Sequence, residues 1–177
     1  MMTTEQIENT KHIFRQALYL YYLTNVAINH SEHLFQLNSD HISKFFAENY
    51  KKFSTHMAVI NTLYNFLVIP REIIFNEFNK NPAMKPILRD IKHKLKNIST
   101  IIYPENQNSN EDLLQRLRNS LAHARFELRE GGFIFKDQRK NGKNKIIFFI
   151  KAEDLEPIVN DIEYKIILPF VQGEIII

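Results

Sequence analysis

Apolar residues recur at helical spacing along most of the chain and at strand spacing in one region near the C-terminal third. Thr3 or Thr4 can cap a first helix with Glu5 in its opening turn, and Ile7, Phe14, Leu18, Tyr21 and Ala27 or Ile28 carry it to about Leu34. Ile13, Leu20, Tyr22, Leu23 and Val26 fill the positions between, so neighbours are expected to cover much of its circumference. Asp40 is placed to cap a second helical stretch bearing Ile42, Phe45, Phe46, Asn49, Phe53, Met57, Ile60, Tyr64 and Leu67, with Tyr50 as a point where it can break. Pro70 suits the first position of a short helix that reaches Phe78 and is closed by Asn79-Lys80-Asn81-Pro82.

From Pro86, the set Ile87, Ile91, Leu95 and Ile98 faces inward, while Lys85, Arg89, Lys92 and Lys96 recur on the opposite side. That basic stripe reads either as a solvated face or as a track for an RNA backbone. Tyr103 to Asn110 is a polar loop, and Ser109-x-x-Asp112 has the form of a capping box. It opens a helix from Glu111 to Glu130 that buries Leu113, Leu114, Leu117 and Leu121 and ends at Gly131-Gly132. Phe133-Ile134-Phe135 and Lys145 to Ile150 then form a β-hairpin across residues 139–144. Ala152 to Leu168 returns to helix, with Leu155, Ile158 or Val159, Ile162 and Ile166 inward and Pro169 as its stop. Val171 to Ile177 is an apolar tail without an assigned place. The pattern predicts a mainly α protein, an up-and-down helical bundle with a small appended hairpin at about 132–150 and a C-terminal helix at about 152–168. Residues 1–177 form a single domain in this reading.

Composition narrows the chemistry. The chain has 177 residues, 44% of them hydrophobic, with four glycines and six prolines, which suits a helical core better than a turn-rich sandwich. It contains no cysteine, so disulfides, thiolate metal sites and cysteine nucleophiles are excluded, and a reducing, cytoplasmic setting is compatible. The first residues resemble no secretory signal, and the apolar passage from Ala17 to Ile28 is shorter than the roughly 20 residues a membrane span needs. A net charge of +3 permits a polyanionic partner without demanding one. His30 and His33 are the histidine pair that shares a helix face, but no carboxylate stands at a matching third position, so no metal and no cofactor is expected. Phosphate-binding glycine loops and a G-x-S-x-G elbow are absent.

The remaining polar concentration lies on the helix from Glu111, where Arg116, Arg118, Asn119, His123 and Arg125 crowd an otherwise leucine-rich segment. Arginine holds phosphate in a planar fork, and histidine is the side chain type best suited to exchange protons near neutral pH. Arg118 and His123 diverge by about 140° and lie about 7.5 Å apart along a straight helix, which makes them poor partners within one helix. Such a separated pair suits a site shared between two copies of the chain. Arg116, seven residues before His123, lies on the histidine's face and is a candidate second phosphate contact. An ordinary charged helix face is the competing reading.

Leu117-Arg118-Asn119-Ser120-Leu121-Ala122-His123-Ala124-Arg125-Phe126 resembles the R-x4-6-H signature of the HEPN superfamily, in which a polar residue follows the arginine. The Pro70-Arg71-Glu72 helix start, the motif helix, the hairpin and the C-terminal helix are similar to a plasmid-associated branch of HEPN nucleases, most clearly from about Phe53 to Ile162. The resemblance implies a homodimer with two motif helices facing one cleft, and metal-independent RNA cleavage there in a toxin–antitoxin or phage-defence setting. It further implies that His123, Arg118 and Asn119 are catalytic, and that an antitoxin or inhibitor accompanies the protein. Toxins of this kind that are silenced by nucleotidyl transfer resemble R-x4-H-x-Y, whereas Arg125 stands at the tyrosine position here, which argues against that modification. Arg125 and Arg129 would instead extend the RNA surface with Arg116, or offset the negative end of the helix. A catalytically silent HEPN module that binds RNA or a protein, and a plain helical scaffold, are the other readings.

Overall fold

A computed structural model describes residues 3–35, 58–68, 77–103, 112–129, 131–138 and 145–175, with side chains of the first segment described as far as Tyr22. The expected helical start at Asp40, the helix opened by Pro70, the loop after Tyr103 and the hairpin turn at 139–144 lie outside what is described, as do the side chains of His30 and His33.

Helix α1, Thr4–Phe35, begins where Thr3 closes a reciprocal cap: the Gln6 backbone N–H donates to Thr3 Oγ1 at 3.2 Å and the Thr3 N–H to Gln6 Oε1 at 2.8 Å. Phe14, Ala17 and Leu18 form its core face, but Ile13, Tyr19, Leu20 and Tyr22 are exposed. The expectation that neighbours cover much of its circumference is therefore corrected: over this stretch one side of α1 packs and the other is open among the described residues. Helix α2, residues 58–67, buries Val59, Ile60, Leu63, Phe66 and Leu67, and leaves Tyr64 on the surface instead of in the core.

Helix α3, Met84–Ile98, buries Met84, Leu88, Ile91 and Leu95, so Ile87 and Ile98 flank the stripe and do not lead it. Lys85, Arg89 and Lys96 are exposed as the amphipathic pattern requires, while Lys92 reaches Asp112 at 2.7 Å and ties α3 to the start of the next helix. Lys94 bridges Asp161 (2.7 Å) and Asp90 (3.2 Å), and these two bonds raise its pKa. Lys165 completes the cluster on the same two carboxylates. Partial burial pushes the Asp161 carboxyl up, but the ammonium groups of Lys165 and Lys94 leave it below the usual range.

The β-structure exceeds the expected hairpin. Strands β1 (Ser99–Tyr103), β2 (Phe126–Arg129), β3 (Gly132–Asp137) and β4 (Ile146–Lys151) form one antiparallel sheet in the order β1-β4-β3-β2. Strands β3 and β4 pair antiparallel, with Phe133 opposite Ile150 and Phe135 opposite Phe148. The sequence S-T-I-I-Y adds the outer strand β1 against β4. Residues 126–129, expected to be helical, form β2 because Phe126 and Leu128 pair with Phe135 and Phe133. Gly132 is needed for space, since a Cβ there would run into the backbone of β4 at the Ile150 carbonyl oxygen.

Helix α4, Leu113–Ala122, lies against β3 and α3. Helix α5, Ala152–Ile162, packs on α3 and on β3 and β4, burying Leu155, Ile158, Val159 and Ile162. It does not stop at Pro169. A π-helical turn, Glu163–Ile167, leads into α6, Leu168–Gln172, and this wider turn comes just before the proline that cannot supply a regular helical N–H. Glu163 is buried within that turn and accepts a hydrogen bond from the Tyr22 hydroxyl, which raises the tyrosine pKa well above its ordinary value. Past α6, Ile175 of the unassigned tail packs against the core. The described residues are thus mainly helical, with a four-stranded sheet where a lone hairpin was expected.

Candidate active site

Asp112 caps α4, its Oδ1 accepting from the Gln115 N–H at 3.2 Å. The cap falls three residues later than the Ser109-x-x-Asp112 pattern suggests. Leu113, Leu114, Leu117 and Leu121 point into the core as expected, but Arg118 and Ser120 are buried with them. Arg118 is only 8% exposed. A guanidinium at that depth needs partners, and one of its Nη2 hydrogen bonds goes to Asn119 Oδ1.

The other end of the Asn119 amide is also fixed. Its Nδ2 donates to Asp137 Oδ2 at 3.1 Å, and the same carboxylate oxygen meets Arg116 Nη1 at 2.8 Å. Arg116, Asp137, Asn119 and Arg118 thereby form a continuous polar chain between α4 and the last residue of β3. Asp137 is 5% exposed, because its position puts it in phase with Phe133 and Phe135 on the core face of the strand. Sequence reasoning did not single it out. The available signal was period-2 spacing: in G-F-I-F-K-D the aspartate is the third residue of an inward-facing set.

His123 stands at the C-cap of α4 with φ −104° and ψ 10°, its backbone N–H donating to the Asn119 carbonyl oxygen at 3.1 Å. Its side chain is exposed, and so are Ala122 and Ala124 on either side. The helix ends here and not at Glu130, because Ala124 takes a left-handed backbone with φ 50°. The Ala124 N–H donates to Leu121 O at 3.1 Å and the Arg125 N–H to Ser120 O at 2.8 Å, the two-bond closure that reverses a chain leaving a helix. Next, the Lys136 N–H donates to Arg125 O at 2.9 Å, and β2 begins.

That reversal redistributes the expected RNA-binding arginines. Arg116 is engaged by Asp137. Arg125 is half-buried and donates from Nη1 to the Gln138 carbonyl oxygen at 2.9 Å, whereas Arg129 is exposed on β2 and pairs with Glu127 at 3.3 Å. Arg129 lies well beyond the helix, so offsetting its negative end is no longer a role for it, whereas Arg125 follows the end at Ala122 by three residues. A cleft of about 350 Å³ opens beside the end of α4, lined among others by Arg125, Phe126, Glu127, Lys136, Asp137 and Lys145. Lys136 pairs with Glu127, and hydrogen bonding from Lys136 holds the Glu127 carboxyl below its usual range. Lys145 lies 5.3 Å over the Tyr103 ring. Arg118 and Asn119 are thus brought together directly, Arg116 joins them through Asp137, and His123 occupies the exposed end of the same helix.

Among the described residues no group of three His, Asp or Glu side chains is arranged to hold a metal ion, and no helix is long and apolar enough to cross a membrane. No curated protein and no solved structure matches the chain. A family model does match it, over residues 2–169, and carries the description HEPN pEK499 p136. With nearly the whole chain covered, the protein belongs to this plasmid-associated HEPN family.

Proposed function

We propose that the protein is a metal-independent endoribonuclease that acts as a homodimer, in a toxin–antitoxin or antiphage setting. The observation that carries the reading is the division of α4 into a fixed Arg118–Asn119 pair and an exposed His123 one turn later. HEPN domains are often ribonucleases, which supports the same assignment. His123 takes the proton from a ribose 2′-hydroxyl, the 2′-oxygen attacks the adjacent phosphorus, and Arg118 stabilises the charge that builds on the phosphate. The bond to the 5′-oxygen breaks, and the partner's His123 returns a proton to that oxygen. The products are a 2′,3′-cyclic phosphate and a 5′-hydroxyl. DNA lacks the attacking group and is not cut by this route.

The small side chains of Ala122 and Ala124 leave the histidine open to a second copy, and the cleft with Arg125, Lys136 and Lys145 offers a path for the strand next to it. Arg116 is largely buried in its pair with Asp137, so the strand contacts fall to the more exposed Arg125 and Arg129. RNA cleavage in excess EDTA tests the reading: His123→Ala and Arg118→Ala should each lower the rate at least about 100-fold, with wild-type activity unaffected by the chelator. Cleavage that survives His123→Ala, or that requires added metal, refutes the mechanism. A strict monomer at micromolar concentration removes the shared site.

The depth of Arg118 favours a second reading, a catalytically silent HEPN module that binds RNA or a protein partner. Absence of cleavage on any RNA, with binding retained, selects it.

A further inference from the structure

We propose that Asp137 is the positioning residue of this site, acting through Asn119 on the guanidinium of Arg118. The proposal rests on the ribonuclease reading and deepens it. A carboxylate only accepts hydrogen bonds and a guanidinium only donates them. Asn119 joins the two because its amide donates at one atom and accepts at the other. With Nδ2 on Asp137 and Oδ1 on Arg118, its orientation is dictated by its partners. Arg116 Nη1 stands 2.8 Å from the same Asp137 oxygen, so at 5% exposure the aspartate has an opposite charge and an amide donor as partners. The arginine that faces the phosphate is therefore aimed from a β-strand 18 residues beyond Asn119.

The chain of donors and acceptors has a direction, which makes it testable by reversal. Asn119→Asp alone sets two carboxylates against each other. Asp137→Asn alone removes the charge that holds Arg116 and Asn119. Made together they restore the total charge: the carboxylate now on α4 would accept from Arg118, and the amide now on β3, turned so that its two ends divide the contacts made by one Asp137 oxygen, would donate to that carboxylate and accept from Arg116. Cleavage of a fluorescent RNA in EDTA, with melting temperatures measured alongside, reads the outcome. Each single variant should lower kcat by about 10- to 100-fold with KM within about twofold, as expected for a misaimed group, and the reversed pair should recover most of it. An Asp137→Asn enzyme with wild-type kcat overturns the proposal, as does a folded double variant no faster than the slower single. Should a single variant fail to fold, the double variant decides: a melting temperature near wild type with kcat still about 100-fold down assigns Asp137 a purely structural role and overturns the proposal. A wild type that cuts no RNA removes the ribonuclease reading itself, whereas a wild type that cuts but ignores Asp137 removes this inference alone.

Discussion

The helices α4 and α6 end in the same way with different residues. At α6 the Gly173 N–H donates to Phe170 O and the Glu174 N–H to Pro169 O; at α4 the Ala124 N–H donates to Leu121 O and the Arg125 N–H to Ser120 O. Both closures require one residue in the left-handed region, φ 82° for Gly173 and φ 50° for Ala124. Gly173 has nothing within 4 Å of a would-be Cβ, so the backbone angle alone accounts for glycine there. Ala124 meets a similar demand with a methyl group, at a cost of roughly 1–2 kcal/mol. The difference falls at the residue that follows His123. What holds the alanine in place is the sheet: Phe126 pairs with Phe135 directly after the turn, and the Lys136 N–H caps the Arg125 carbonyl. One helix end is relaxed, while the other carries backbone strain directly beside His123.

Substitutions can break or sharpen this contrast. The largest effect is expected from Ala124→Val, since a β-branched side chain tolerates φ 50° poorly; it should destabilise by about 2 kcal/mol in chemical denaturation, and a neutral result would mean that the turn is not under strain. Gly173→Ala should cost about 1 kcal/mol, because it imposes on α6 the burden α4 already carries. Ala124→Gly should have the smallest effect, a stabilisation of about 0.5 kcal/mol left after the extra freedom of the unfolded chain is subtracted. Its kcat should nevertheless fall a few-fold as His123 loses its fixed backbone. A glycine variant that is less stable than wild type would sink the comparison.

These two ends also mark what the sequence could and could not reveal. Gly173 was legible in principle as a helix stop, but Pro169 attracted that role, and the π-helical turn that carries the chain past the proline has no local signature. Alanine is the strongest helix former, so nothing in L-A-H-A-R-F announces that the helix ends at Ala122. Pairing with β3 overrides that propensity, and such an override cannot be read from a segment alone. The same holds for β1, whose strand character is secured by β4, far along the chain. By contrast, the leucine face of α4 and the inward set of the C-terminal helix follow directly from period, and both are buried as expected. Arg118 and Asn119 were legible as a motif. Their link to Arg116 was not, because it passes through a strand aspartate whose meaning depends on register.

The polar chain of the site has a consequence for how the protein folds. Its longest span is 21 residues, from Arg116 to Asp137, and α4, β2 and β3 are consecutive in sequence. Loops this short close at little entropic cost, whereas joining β1 to β4 or α1 to α6 requires much longer ones. The segment from 113 to 137 can therefore assemble as a local unit ahead of the outer strand and the N-terminal helix. The residues of the candidate site thus share one short, nearly self-contained stretch, and the rest of the fold closes around it.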